Sequence, residues 1–179
     1  MAAQRTRIYR GKVIDLDIET TLLPNGHSIS LEIVHHPGGA AIVAVDDARR
    51  LCLLRQYRHA AGGWIWELPA GKREHGEDPL YTAQRELEEE AGLRASSWRK
   101  LGTTLTTPGF CDEIIHLYLA QGLTPAIQRL EPHELLEFHW LPWDQVHEWI
   151  HCGTLTDAKS IVGIHLAQAA LHASHQVQG

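Results

Sequence analysis

Short apolar runs divide this chain into strands, with helical periods in three places. Residues 6–36 alternate in part, most clearly in IETTLL and SISLEIVHH. Pro24-Asn25-Gly26 between those runs is a strong turn signal, so a hairpin is expected there. Ala40 to Val45 is wholly apolar. Asp46-Asp47 then turns the chain, and Leu51 to Arg58 returns as a second buried strand. Trp64 to Leu68 makes another short strand. The period then changes: Leu80, Ala83, Leu87 and Ala91 recur at spacings of three and four, the mark of a helix with one buried face. Further strands are expected near 98–106, 114–120 and 135–141, and residues 142–152 read as helix. The last helix, 157–174, carries Ile161, Ile164, Ala167 and Leu171 on one face. Strands interleaved with a few helices predict an α/β or α+β sandwich.

The helix at 79–91 carries the chemistry. Asp78 can cap free backbone donors, Pro79 suits the first helical position, and Gly92 suits the left-handed stop. Glu86 and Glu90 are four residues apart, so they project to nearly the same side, about 40° apart around the axis. Glu89 lies further round but within reach of the same point. Crowded carboxylates repel, so the cluster costs stability unless a cation is bound. Its oxygen-only chemistry suits a hard ion such as Mg²⁺, with Mn²⁺ as a substitute. The bland alternative is a solvated, charge-rich helix face. Arg85 points elsewhere on the helix, where it can pair with Glu77 in the preceding loop.

Gly71, Glu77, Arg85, Glu86, Leu87, Glu89, Glu90, Gly92 and Leu93 match the pattern G-x5-E-x7-R-E-U-x-E-E-x-G-U at every specified position. On these residues the chain is identified as a member of the Nudix hydrolase superfamily. The resemblance implies an α/β/α sandwich around a mixed sheet and metal-assisted attack of water on a diphosphate. Three segments resemble the ADP-ribose and nucleoside-diphosphate-sugar pyrophosphatase branch: RQYRHAAGGWIWELPAG, TTPGFCDEIIHLYLA and the N-terminal order YRGKVIDL, LPNG, EIVHHPGGAAIVAV. They span about residues 7 to 170. The resemblance implies that Glu86, Glu90 and Glu89 bind metal with the Ala70 carbonyl, and that Glu77, Gly71 and Gly92 are structural. The resemblance also implies a catalytic set of Glu134, Glu90 and Arg85. Glu134 aligns best with the general base that the resemblance implies, with Glu131 or a metal-bound water as alternatives, because Pro132 and His133 stand where the branch is richer in acids.

Substrate contacts are expected from Arg55 and Arg58 at the end of a strand, where guanidinium groups grip phosphates or a base edge, or else form surface ion pairs. Gly109 allows close backbone approach. Glu113 can accept hydrogen bonds from ribose hydroxyls, or stand as a solvated loop acid. Trp64 and Trp66 share a strand face, which offers base stacking or simply core.

Composition bounds the rest. The length of 179 residues suits one domain; the resemblance implies a single Nudix domain and a homodimer, with residues 1–38 as N-terminal strands suited to dimerisation and 39–179 as the catalytic core. A formal charge of −6 with no basic run argues against nucleic acid as a partner. No stretch approaches a membrane span and no secretory apolar run appears, so no membrane partner is expected and the cytoplasm is the expected compartment. Three scattered cysteines make a disulfide framework unlikely, and no histidine pair has a fourth ligand at zinc-site spacing. The expected function is Mg²⁺-dependent hydrolysis of ADP-ribose to AMP and ribose 5-phosphate by a homodimer. The alternatives are another nucleotide sugar such as GDP-mannose, a non-hydrolytic ADP-ribose sensor, or a hydrolase of oxidised nucleoside triphosphates.

Overall fold

The computed structural model describes residues 4–176, with no side chains described beyond residue 173. Three strands come first: β1 (Gln4–Arg10), β2 (Asp15–Leu22) and β3 (Ser28–His35). They form an antiparallel sheet in the order β1-β2-β3. The expected hairpin is β2–β3, closed at Pro24-Asn25-Gly26 with Gly26 at φ 83°. β1 adds a third strand with every residue exposed.

The core follows the binary pattern closely. β4 (Gly39–Ala44), β7 (Ala70–Lys72), β8 (Leu93–Leu105) and β9 (Ile114–Pro125) make a mixed sheet in the order β7-β4-β9-β8, with β4 and β9 parallel. α1 (Pro79–Ala91) packs on one face and α3 (Ala158–Gln176) on the other. Alternation along β4 serves both. Ala40, Ile42 and Ala44 meet Ala83, Leu87 and Ala91 of α1, whereas Val43 and Val45 meet Ile164 and Ala167 of α3. Leu87 is fully buried, which stabilises the helix docking by about 2 kcal/mol. The α/β/α sandwich with N-terminal strands is therefore the observed architecture.

β5 (Arg50–Arg58), β6 (Gly63–Glu67) and β10 (Leu136–Pro142) form a second antiparallel sheet in the order β10-β5-β6. α2 (Trp143–Cys152) follows β10. β5 also alternates: Leu51 and Leu53 pack towards α2 and α3, and Cys52 towards α1. That phase decides which of its later polar residues reach the site. Sequence pattern missed two features. The short β7 holds the first residues of the box motif, where glycine masks any alternation. β8 begins at Leu93, directly after the Gly92 stop, five residues earlier than the expected 98. No helix among the described residues is long and apolar enough to cross a membrane.

Candidate active site

Asp78 accepts a hydrogen bond from Leu80 N at 2.8 Å, and Gly92 closes α1 at φ 62°, as the helix signals predict. The helix lays its carboxylates along a cavity of about 800 Å³. Glu90 is 3% exposed and Glu86 8%. Glu90 accepts a hydrogen bond from Ala70 N at 2.8 Å, so Ala70 meets the cluster through its N–H as well as by position. Gly71 is required by packing: a Cβ there would collide with the Glu86 carboxylate.

Arg85 does pair with Glu77, but it does not point away from the other acids. Nε and Nη2 donate to Glu77 at 3.1 and 3.2 Å. Nη1 donates to Glu86 at 2.7 Å and Glu89 at 3.0 Å, and Nη2 also reaches the Lys72 carbonyl at 3.1 Å. The long side chain wraps across the helix to gather the acids, a reach that angular position on a helical wheel does not capture. Glu77 also accepts from Thr82 Oγ1 at 2.8 Å and Glu74 N at 3.0 Å. The Arg85 hydrogen bond is the main cause that holds the Glu77 carboxyl down at about 2.

The chain after β9 closes the far end of the site. Arg129 N donates to Glu89 O at 2.9 Å, and Gln128 Nε2 to Glu90 O at 2.6 Å, which caps the last carbonyls of α1. Glu131 and Glu134 are thereby brought to the cavity wall. Glu134 Oε2 accepts from Glu131 N at 2.8 Å, while Glu131 pairs with His133 at 3.3 Å.

Other sequence-based candidates divide by strand phase. Gln56 and Arg58 share the Cys52 face of β5 and line the cavity. Arg55 takes the opposite face, over the Trp64 ring at 5.1 Å, and is not brought to the cavity. Trp66 packs against Trp149 at 4.6 Å, as core. Glu113 lines the cavity and pairs with His36 at 3.0 Å. A Cβ added at Gly109 would meet nothing within 4 Å, and the residue lies outside the cavity lining. Glu67 and Lys159 escaped sequence reasoning. Glu67 is 1% exposed and bonds Arg58 Nε at 2.8 Å and Lys159 Nζ at 2.6 Å. The available signal was an acid inside the apolar strand WIWEL, which requires a buried cation.

The donor set fits a hard divalent ion. Glu86 and Glu89 each give one oxygen to Arg85, and Glu90 gives one to Ala70 N. Each keeps a second oxygen outside these bonds. Burial pushes the Glu86 carboxyl up to about 7 against the pull of Arg85, with Glu89 and Glu134 adding to the rise. Burial and the Glu86 charge push Glu90 well above 4.5. Asp17, Glu19 and His35 also gather ligand atoms within 4.8 Å of one another, but Arg7 and Arg5 already neutralise the two acids. The box carboxylates are the better-matched set.

A carboxyl whose folded pKa is raised binds more protons folded than unfolded, so stability falls as pH rises from 4.5 through about 7. The lowered Glu77 acts in another window, with a contribution lost only as pH falls from 4.5 through about 2. Metal-free protein should therefore melt at a lower temperature at pH 8 than at pH 6, and millimolar Mg²⁺ should restore it. Equal melting temperatures for wild type and the Glu86→Gln/Glu90→Gln pair across this range would refute the assignment.

A model of the NUDIX domain matches residues 35–161. The chain belongs to the Nudix family. It is 39% identical over 166 residues to an ADP-ribose pyrophosphatase of Bacillus subtilis, covering 92% of this chain and 90% of that protein. It is 38% identical over 164 residues to a methanol dehydrogenase activator of Bacillus methanolicus, covering 90% and 89%. The fold matches a crystal structure described as an ADP compounds hydrolase, with a TM-score of 0.83 over 97% of this chain and 96% of that one, at 19% identity. The Nudix match begins at His35, the last residue of β3, and ends at Ile161, within α3. Nudix enzymes are hydrolases that use divalent metals, in keeping with the carboxylate set on α1.

Proposed function

We propose that this Nudix hydrolase splits the diphosphate of ADP-ribose into AMP and ribose 5-phosphate with Mg²⁺. The observation that carries the reading is that Glu86, Glu89 and Glu90 line one cavity together with Arg58. A diphosphate with sugars at both ends needs anion-binding groups beyond the metals, and the cavity is of ligand size. The name of the Bacillus subtilis relative points to the same substrate. When bound, a divalent ion offsets phosphate charge and lowers the pKa of water. Glu86, Glu89 and Glu90 hold it, Arg85 aligns them, Glu113 accepts from a ribose hydroxyl, and Glu134 takes the proton of the attacking water. Glu131 is the alternative base, since it lines the same cavity.

The test is kcat/KM across ADP-ribose, GDP-mannose, ADP-glucose, UDP-glucose, NADH and dGTP. ADP-ribose should lead; a panel led by dGTP, with ADP-ribose inert, would sink the substrate while leaving the Nudix chemistry. Glu134→Gln should lower kcat by about a hundred-fold with KM little changed. A wild-type rate would move the base to Glu131 or to metal-bound water alone.

The same reading includes one catalytic domain that works in the cytoplasm as a homodimer. Support comes from the N-terminal sheet, where Ile8, Tyr9, Ile18 and Leu22 are exposed. Light scattering should give twice the 20.1 kDa chain mass, and a monomer at working concentration would refute the dimer.

A further inference from the structure

Part of the same cavity lining, Arg58 and Lys159, is organised around a buried acid, Glu67, that the proposed chemistry leaves unused. Glu67 holds Arg58 by Nε and Lys159 by Nζ. Asp157 accepts a second hydrogen bond from Lys159 Nζ at 3.0 Å and another from Ser160 N at 3.1 Å, at the start of α3. Ser160 Oγ accepts from Leu68 N at 2.7 Å, which ties α3 to the chain between Glu67 and Ala70. Burial alone would discharge Lys159, but Glu67 and Asp157 outweigh it and raise its pKa, so the ammonium stays charged.

Counting donors shows what this part of the lining still offers. Arg58 uses only Nε, so both Nη groups remain outside hydrogen bonds among the described residues. Lys159 has three protons and spends two. Ala158 and Lys159 lie in the first turn of α3, where backbone donors have no helical partner. Gln56 supplies an independent sign of a ligand. It is 4% exposed, lines the same cavity, and its buried Oε1 has no hydrogen-bond partner. A buried acceptor without a donor costs about 1–3 kcal/mol unless a ligand or water supplies one.

We propose that Lys159, Arg58 and the first turn of α3 form a subsite for the phosphate of one 5-phosphoribosyl product, with the Gln56 amide accepting from a hydroxyl of the attached sugar. The inference rests on the proposed diphosphate hydrolysis and deepens it. The substrate then has one phosphate at the metal helix and the adjoining one at these cations. Glu67 and Asp157 fix the cations without cancelling their spare donors. Ribose 5-phosphate and AMP share the recognised chemistry, and the two are separable as inhibitors.

The experiment measures inhibition constants of inorganic phosphate, ribose 5-phosphate and AMP at saturating Mg²⁺, with equilibrium binding of each to the Mg²⁺-loaded protein by calorimetry. Lys159→Met should weaken inorganic phosphate and at least one sugar phosphate by about tenfold or more, the loss expected of one charge-assisted hydrogen bond. Lys159→Arg should keep most of the binding. Gln56→Leu deletes an unsatisfied acceptor at little risk to folding. It should weaken one sugar phosphate several-fold and leave inorganic phosphate unchanged. The product that loses more names the half bound here. Unchanged constants in folded Lys159→Met, or in Gln56→Leu should the first variant not fold, would overturn the subsite and leave the network a structural brace. If wild type cleaves no nucleotide sugar yet binds phosphate through Lys159, the functional reading fails and the subsite stands.

Discussion

Glu90→Gln should lower kcat by roughly two to four orders of magnitude, about 3–5 kcal/mol of transition-state stabilisation. The residue is nearly fully buried, and one carboxylate oxygen is already fixed by Ala70 N. That bond presets the other oxygen, so the charge is delivered in a fixed geometry. Glutamine keeps the shape and the acceptor for Ala70 N but removes the charge. The carboxyl is held well above its ordinary range by burial and by Glu86, so its removal relieves a cost in the metal-free protein. Metal-free Glu90→Gln should therefore melt no lower than metal-free wild type at pH 8, while Mg²⁺ should raise its melting temperature less. Calorimetric titration with Mg²⁺ beside steady-state kinetics checks both. Near wild-type turnover would remove Glu90 from the metal set.

The elements were legible where one physical rule dominated. Leu80, Ala83, Leu87 and Ala91 have a single buried face, so periodicity located α1, and Asp78-Pro79 and Gly92 bounded it. The apolar run from Ala40 to Val45 announced a strand buried on both sides, which is what a sheet between two helices needs. The acid cluster was legible because its spacing is local. What the sequence hid was mostly non-local. Arg55 and Arg58 look alike in RQYR, and only the phase of β5 against two cores sends one to the cavity and the other to Trp64. Lys159 lies 92 residues from Glu67 in the chain, so no spacing rule could have joined them. Gly109 was singled out for its freedom, but exposure outside the cavity lining leaves that freedom without a close neighbour.

Arg85→Ala should cost about 3–5 kcal/mol of stability and lower kcat by about a thousand-fold. The guanidinium has five N–H groups, and the structure gives each an acceptor: two on Glu77, one each on Glu86 and Glu89, and the Lys72 carbonyl. Alanine would leave three acids facing one another around the lost cation, with Glu86 the most buried of them. Lysine carries the same charge but only three donors from a single atom, so Arg85→Lys should recover little. Coupling separates this account from a simple charge effect. Glu77→Gln alone removes the partner that orients the guanidinium. In a double-mutant cycle, Glu77→Gln and Arg85→Ala should then be less damaging together than the sum of the two alone, by about 1–3 kcal/mol in chemical denaturation. Additive losses would mean that Arg85 acts on Glu86 and Glu89 without Glu77, and the loop-to-helix clasp would lose its role.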